Sequence, residues 1–334
     1  MRRINVETVL SYLGQGVTRP ALIIGDDFKK YVLKTQKVVE NGKTRTYDCM
    51  FLNELLAYQI AQHLEVPIPE AAIAFLDKKL IDNDPTIRFV HRFYEGNLFA
   101  SLEIPNTEEN LVENYEEMQK MGKAYLSRTW NAFFANIVNQ EDIAKIIAFD
   151  VLTANFDRYG NTGNLLVATV DEGRKVFTID HGHAFFGPVW ETGKINALRS
   201  PSETIQYVDS FVNVALHNNV RTGGRGFADG FGSVFRAIEP TIDLTNIKSH
   251  CFQEVVFVIE NITEDLIDEW FTYIPTEWFS SNERLVQMGY YKNYLLKQKK
   301  IVKHILQRMA ERKAFTNYLG GALEWKTEKN VGTV

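Results

Sequence analysis

The chain has 334 residues, 45% of them apolar and 24% charged, which is enough to bury a large core and fits one two-lobed domain or two small ones. A net charge of -5 and a pI near 5.9 exclude bulk attraction to nucleic acid or an anionic membrane surface as the organising property, and leave direct nucleic-acid binding a minority reading confined to local basic patches. Cys49 and Cys251 have no metal-ligand spacing and are too few for a disulfide framework, no run approaches the roughly 18 apolar residues of a membrane span, and MRRINVETVL lacks a signal-peptide core, so a cytoplasmic protein is expected.

In chain order, the first part is β-rich. ALII (21–24), YVLKTQ (31–36), AAIAFL (71–76) and TIRFVHRFY (86–94) read as strands of a small sheet, separated by turn residues. One helical pattern interrupts them, YDCMFLNELLAYQIAQHLEV, whose Phe51, Leu52, Leu55, Leu56, Ile60 and Leu64 form an apolar stripe ending before Pro67. The segment VHRFYEGN (90–97) is expected to end the last strand and to act as a hinge. From residue 97 onward the patterns are mostly helical, apart from a hairpin of NLLVATV and KVFTID joined by DEGR. The expected fold is α+β and two-lobed, with a small β-rich N-lobe over 1–95 and a larger, mainly helical C-lobe over 96–334.

The hairpin carries the chemistry. Asp157 follows the apolar run IAKIIAFDVLTAN and precedes RYGNTGN, whose glycines and asparagines suit unusual backbone conformations. Asp180 ends the second strand, so the hairpin returns it toward Asp157, and two carboxylates and an amide oxygen converge. Hard oxygen ligands of this kind suit Mg²⁺ shared with substrate phosphates. Taken alone, Asp157 reads more readily as a turn former or helix cap than as a catalytic group. A dinuclear hydrolase would instead recruit Asp180, His181 and His183, but alternate strand residues 181 and 183 share a face that 180 does not.

Other parts of a nucleotide site appear in order. GQGVT places Gly14, Gly16 and Thr18 ahead of a strand, where backbone amides and a hydroxyl can approach phosphate. Lys34 is delivered by YVLK and can hold a phosphate as a point charge, a surface lysine being the plain alternative. Glu54, beside the helical stripe, can pair with Lys34 across the lobe or stand exposed. Gly-rich turn, strand lysine, helix glutamate, loop aspartate and strand aspartate follow one another as in a protein-kinase-like fold.

GQGVTRPALI, YVLK, NELLAYQIAQHLEVPIPE, NFDRYGNTGNLLV, FTIDHGHAF and IPTEW together resemble the HipA-like kinases, bacterial relatives of serine/threonine protein kinases, over roughly residues 10–310. The resemblance implies ATP and Mg²⁺ in a cleft and transfer of the γ-phosphate to a Ser or Thr hydroxyl of a protein substrate. It implies that Lys34 contacts phosphates and is held by Glu54, that Asp157 is the catalytic aspartate with Asn155 bracing its loop, and that Asn164 and Asp180 bind the metal. It also implies, for some members, a toxin role with an antitoxin-like inhibitory partner. The chain departs from the common kinase pattern in three places. No histidine stands before the Asp-Arg pair, DHG replaces DFG, and the position five residues after Asp157 is Thr162, flanked by Asn161 and Asn164, which leaves Asn161 open as the metal ligand. No serine lies between Gly14 and Pro20, so Thr18 is the one hydroxyl there for autoregulation. Two other classes stay in view: a noncatalytic nucleotide-binding or partner module, and a small-molecule or lipid kinase. RTGGRGFADGFG (221–232) reads as a flexible loop, and the basic helix near the C-terminus as a core-closing element with solvated lysines.

Overall fold

The computed structural model describes residues 1–13, 19–40, 42–108, 121–123, 126–159, 163–219, 231–280 and 284–327. Strands β1 (Arg2–Tyr12), β2 (Ala21–Gly25) and β3 (Lys30–Leu33) form a meander, and β4 (Lys37–Glu40) and β5 (Lys43–Thr46) pair as a separate hairpin. After helix α1 (Met50–His63) come β6 (Ala71–Leu76), the short helices α2 (Lys78–Asn83) and α3 (Pro85–Phe89), and β7 (Gly96–Leu102). The sheet closes into a barrel in the order β1-β2-β3-β7-β6, with β1 and β6 parallel and the other neighbours antiparallel.

Alternation explains the barrel interior. Ile4 and Val6 on β1, Ala21 and Ile23 on β2, and Tyr31 and Leu33 on β3 are buried, each separated by a residue facing out, as the two-residue period of a strand requires. Closure gives each barrel strand a neighbour on both sides along part of its length. At the seam, Arg2 donates to both carboxylate oxygens of Glu70 (3.0 and 3.1 Å) and to Asp27 (2.8 Å), tying the first strand to the approach to β6 and to the β2–β3 turn.

Three expectations are corrected here. TIRFVHRFY is not a strand: Asp84 accepts from the Thr86 amide at 3.0 Å and Pro85 stands in the first turn, so this Asp-Pro pair starts α3. The last barrel strand is Gly96–Leu102, a segment that the helical expectation for residues beyond 97 missed. Consequently 90–97 is not the hinge. The chain leaves the barrel after Leu102, and this connector binds the later hairpin through the Glu108 amide to Val167 O (2.8 Å) and a Thr107–Ala168 bridge.

Helix α1 is buried on nearly every side, including at Asn53 and Glu54, because it lies between the barrel and the helices that follow. Those helices are α4 (Leu126–Phe133), α5 (Asp142–Thr153), α6 (Thr192–Arg199), α7 (Ile205–Asn219), α8 (Gly232–Ile238), α9 (Gln253–Glu260), α10 (Glu264–Thr272) and α11 (Arg284–Glu311), with the hairpin β8 (Leu165–Val170) and β9 (Gly173–Thr178) between α5 and α6. Helix α11 packs on α5, α6, α7, α9 and α10, and its Ile301, Ile305 and Met309 are buried, the core-closing role expected of it. The hairpin and α1 likewise occupy the expected segments. Most of RTGGRGFADGFG and of the acidic stretch after Leu102 lies outside the described residues.

One side chain couples the helical part to the barrel. Trp278, in the IPTEW segment, is 2% exposed, packs on Phe51 of α1 and donates its indole N–H to Asn97 O of β7 at 2.9 Å. Trp278→Ala leaves a large cavity and an orphaned carbonyl at this junction, and is expected to lower unfolding free energy by about 3–5 kcal/mol, read as a shift of the urea midpoint at unchanged slope.

Candidate active site

The site is built where three chain reversals meet. The first is the end of α5: Ala154 takes a left-handed conformation (φ 47°), and both it and Asn155 return their amides to Asp150 O, so the helix stops abruptly and releases Asn155, Phe156 and Asp157. Asn155 is buried, and its Oδ1 accepts from the Asp157 amide at 3.4 Å, a contact that bears on the loop it was expected to brace. Asp157 is half-buried.

The second reversal is the base of the hairpin. Leu165 pairs with Thr178, so Asn164 stands opposite Ile179, whose amide donates to Asn164 O at 3.2 Å. Asn164 Nδ2 also reaches Asp157, at 3.2 Å to the carboxylate Oδ2 and 3.3 Å to the carbonyl. Asp157 and Asn164 are therefore in contact, with Asp180 one residue beyond the pairing partner of Asn164. Asn161 lies outside the described residues.

Arg158 organises all three. Its side chain is fully buried, and every N–H of the guanidinium has an acceptor. Nε donates to Asp150 Oδ2 (3.0 Å) and Nη2 to Asp150 Oδ1 (3.0 Å) and His181 Nδ1 (2.9 Å), while Nη1 bridges Asn164 O (2.8 Å) and Ile179 O (2.9 Å). One cation thus joins the end of α5, the start of β8 and the residues just past β9. Sequence reading assigned Arg158 no role; its place beside Asp157 was the available signal.

The third reversal brings in the barrel. Lys34 directly follows β3, and its Nζ donates to Glu54 Oε1 at 2.5 Å and to Asp180 Oδ1 at 3.0 Å. Glu54 also accepts, through Oε2, the amide of His181 at 3.1 Å, so α1 grips the chain immediately after Asp180. Neither the surface-lysine nor the exposed-glutamate alternative holds, since Lys34 is 8% and Glu54 2% exposed. Burial alone would make the Lys34 ammonium easier to deprotonate; the Asp180 and Glu54 carboxylates outweigh it and hold the lysine charged. Burial pushes Asp180 up, but Lys34, His183 and Arg158 together hold it below the usual carboxylate range. Asp180 sits at φ 59°, a left-handed conformation that an aspartate tolerates at some cost, and 39% of its side chain remains exposed.

The histidines do not join Asp180 as a ligand set. His181 is buried, accepts from Arg158 and stands edge-to-face with Phe149, and burial holds it well below its ordinary pKa. His183 meets the Tyr47 ring edge-on. The segment 179–183 is not strand, so the alternation expected there does not apply. Among the described residues no cluster of three or more His, Cys, Asp or Glu side chains is arranged to hold a metal. The oxygen donors here that suit a hard divalent cation are the partly exposed Asp180 carboxylate and the Asn164 amide, fewer ligands than such an ion takes.

Gly14, Gly16 and Thr18 lie outside the described residues. The segment containing them is bounded by the Leu13 amide bonded to Pro20 O (2.8 Å), between β1 and β2. Tyr12, at the end of β1, stacks on His91 with ring centroids 3.3 Å apart, which ties this strand to the segment after α3. No helix among the described residues is long and apolar enough to cross a membrane.

Comparison with known proteins identifies the family of the sequence. A search of curated proteins gave no match. Among solved structures, the proinflammatory kinase CtkA of Helicobacter pylori aligns at 14% identity with a TM-score of 0.47, over 95% of this chain and 97% of its own. HipA of Shewanella oneidensis MR-1, solved with HipB and operator DNA, aligns at 12% identity and a TM-score of 0.37, over 90% and 67%. The Golgi casein kinase with Mn/ADP bound aligns at 11% identity and a TM-score of 0.43, over 98% and 77%. The HipA-like kinase family model matches residues 6–197, which is more than half of the sequence and includes Lys34, Glu54, Asp157, Asn164 and Asp180. The chain belongs to the HipA-like kinase family.

Proposed function

We propose that the chain is an ATP- and Mg²⁺-dependent serine/threonine protein kinase of HipA-like type, with the barrel as N-lobe, the helical part as C-lobe and the connector 103–108 between them. The observation that carries the reading is the joining of Lys34, Glu54 and Asp180 across the two parts of the fold, with Asp157 and Asn164 in contact beside them.

In this reading Gly14, Gly16 and Thr18 approach the phosphates from the β1–β2 loop, and Lys34 transfers part of its pairing from Asp180 to phosphate oxygens. Glu54 keeps the lysine aimed, because Glu54 is itself buried and fixed to the His181 amide. Asn164 and Asp180 would hold Mg²⁺, which supplies charge neutralisation on the phosphates. Asp157 accepts the hydrogen bond of the incoming Ser or Thr hydroxyl and orients it for in-line attack, its loop braced by Asn155 and its carboxylate positioned by Asn164. Rate enhancement then comes from positioning and from preorganised charge. An antitoxin-like partner belongs to the proposal through family resemblance. Autoregulation through Thr18 is carried in the same way.

Two outcomes test this. Asp157→Asn is expected to reduce transfer from γ-labelled ATP to protein by about 100-fold or more while nucleotide affinity changes little; label on protein undiminished in purified Asp157→Asn would sink the assignment. Asp180→Ala is expected to abolish the Mg²⁺-dependent part of nucleotide binding, measured by titration with and without chelator; Mg²⁺ dependence equal to wild type would remove Asp180 as a ligand.

A further inference from the structure

Beyond Asp180 the chain makes a tight inward turn. Phe185, Phe186 and Gly187 all have positive φ (56°, 65° and 115°), a conformation that disfavours side chains, and carbonyls along the turn face side-chain donors of other elements. Buried carbonyls need donors, and two side chains from other elements supply them. Asn53 of α1 directs Nδ2 at Gly182 O (2.7 Å), Ala184 O (2.9 Å) and Gly187 O (3.0 Å). Lys194 of α6 donates Nζ to Phe185 O (2.7 Å) and Gly187 O (2.6 Å) and reaches Asn53 Oδ1 at 3.4 Å. Tyr291 of α11 completes the cluster, its hydroxyl bonding Asn53 Oδ1 at 2.7 Å and its ring lying 5.1 Å from the Lys194 ammonium.

We propose that Asn53 and Lys194 are positioning residues for the site, fixing the turn 182–187 and through it the place of the Asp180 carboxylate. The inference rests on the metal-binding role proposed for Asp180. Asn53 and Glu54 are consecutive on α1, so one helix holds the turn at both ends: Glu54 takes the His181 amide and Asn53 takes the carbonyls that follow. Asp180, already left-handed, is the residue on which this grip acts.

Lys194 is an unusual choice for a purely structural anchor. It is 2% exposed, and its hydrogen-bond acceptors are carbonyl and amide oxygens. The nearby Asp48 carboxylate is engaged by the Trp190 amide (2.8 Å) and the Ser280 hydroxyl (3.3 Å). Burial brings the lysine down to about 8, so it is still protonated at neutral pH and presents three donors to the turn. Neither Asn53 nor Lys194 was singled out by sequence reading.

The test uses the full chain with Asn53→Ala, Lys194→Met and Lys194→Arg, and two measurements: hydrogen exchange of the turn amides, and ADP affinity with Mg²⁺ and with chelator. In Asn53→Ala and Lys194→Met, turn protection is expected to fall about tenfold or more with β6–β7 unaffected. The affinity gained from Mg²⁺ is expected to fall to a similar extent, while affinity in chelator stays within about twofold, and Lys194→Arg restores much of both. Folded variants with wild-type turn protection and Mg²⁺ dependence would overturn the inference. Should the first two fail to fold, Tyr291→Phe removes one bond to Asn53 and is expected to lower turn protection by about threefold, unchanged protection counting against the inference. Wild type without Mg²⁺-dependent nucleotide binding would defeat the functional reading separately, and turn protection would still decide whether these residues hold the chain beside Asp180.

Discussion

The Arg158 guanidinium is the point on which the site depends. It replaces the solvent that Asp150 and the carbonyls of Asn164 and Ile179 would otherwise require, and it does so from the residue next to Asp157. A buried cation with every donor used is stable only in one arrangement of its acceptors, since removing one partner of such a pair costs about 3–5 kcal/mol. The end of α5, the start of β8 and the exit of β9 are therefore fixed relative to one another: Asp157 precedes Arg158 in the chain, Asn164 is bonded to it through its carbonyl, and Asp180 lies between Ile179 and His181, both of which Arg158 touches. His181 completes the arrangement as a neutral acceptor, kept so by burial.

Helix α1 transmits this order to the barrel. Its unusually complete burial would be expected of an apolar helix, yet it carries Asn53 and Glu54 in its first two turns. Polar groups so placed must be satisfied. Glu54 binds Lys34 on one side and the His181 amide on the other, so the lysine at the end of β3 and the turn after Asp180 are held by the same carboxylate. The left-handed conformation of Asp180 is maintained by surroundings that leave it little alternative, and its exposed carboxylate edge is what remains for a ligand.

Much of this was legible in the residues. The period-3.6 stripe marked α1, the two β-rich runs around DEGR marked the hairpin, and the order of Lys34, Glu54, Asp157 and Asp180 pointed to a kinase-like arrangement, of which Lys34, Glu54 and Asp180 are in direct contact. Other features were not. Strand β1 was overlooked although Ile4 and Val6 alternate with polar residues, and the β4–β5 hairpin was missed despite Asn41-Gly42 between its strands. TIRFVHRFY looked like a strand because β-branched and aromatic residues outweighed its Asp-Pro start, whereas GNLFASL is short and its Gly and Ser dilute the β signal. Arg158, His181, Asn53 and Lys194 matter through tertiary partners far along the chain, and no local periodicity reports such pairings.

The most direct test of the central claim is a crystal structure of the protein grown with Mn²⁺ and ADP, with the metal located by its anomalous scattering. A peak between the Asp180 carboxylate and the Asn164 amide oxygen, with Lys34 on the phosphates and Glu54 still on Lys34, is the expected result. Nucleotide bound outside this cleft, or a metal held away from both Asp180 and Asn164, would contradict it.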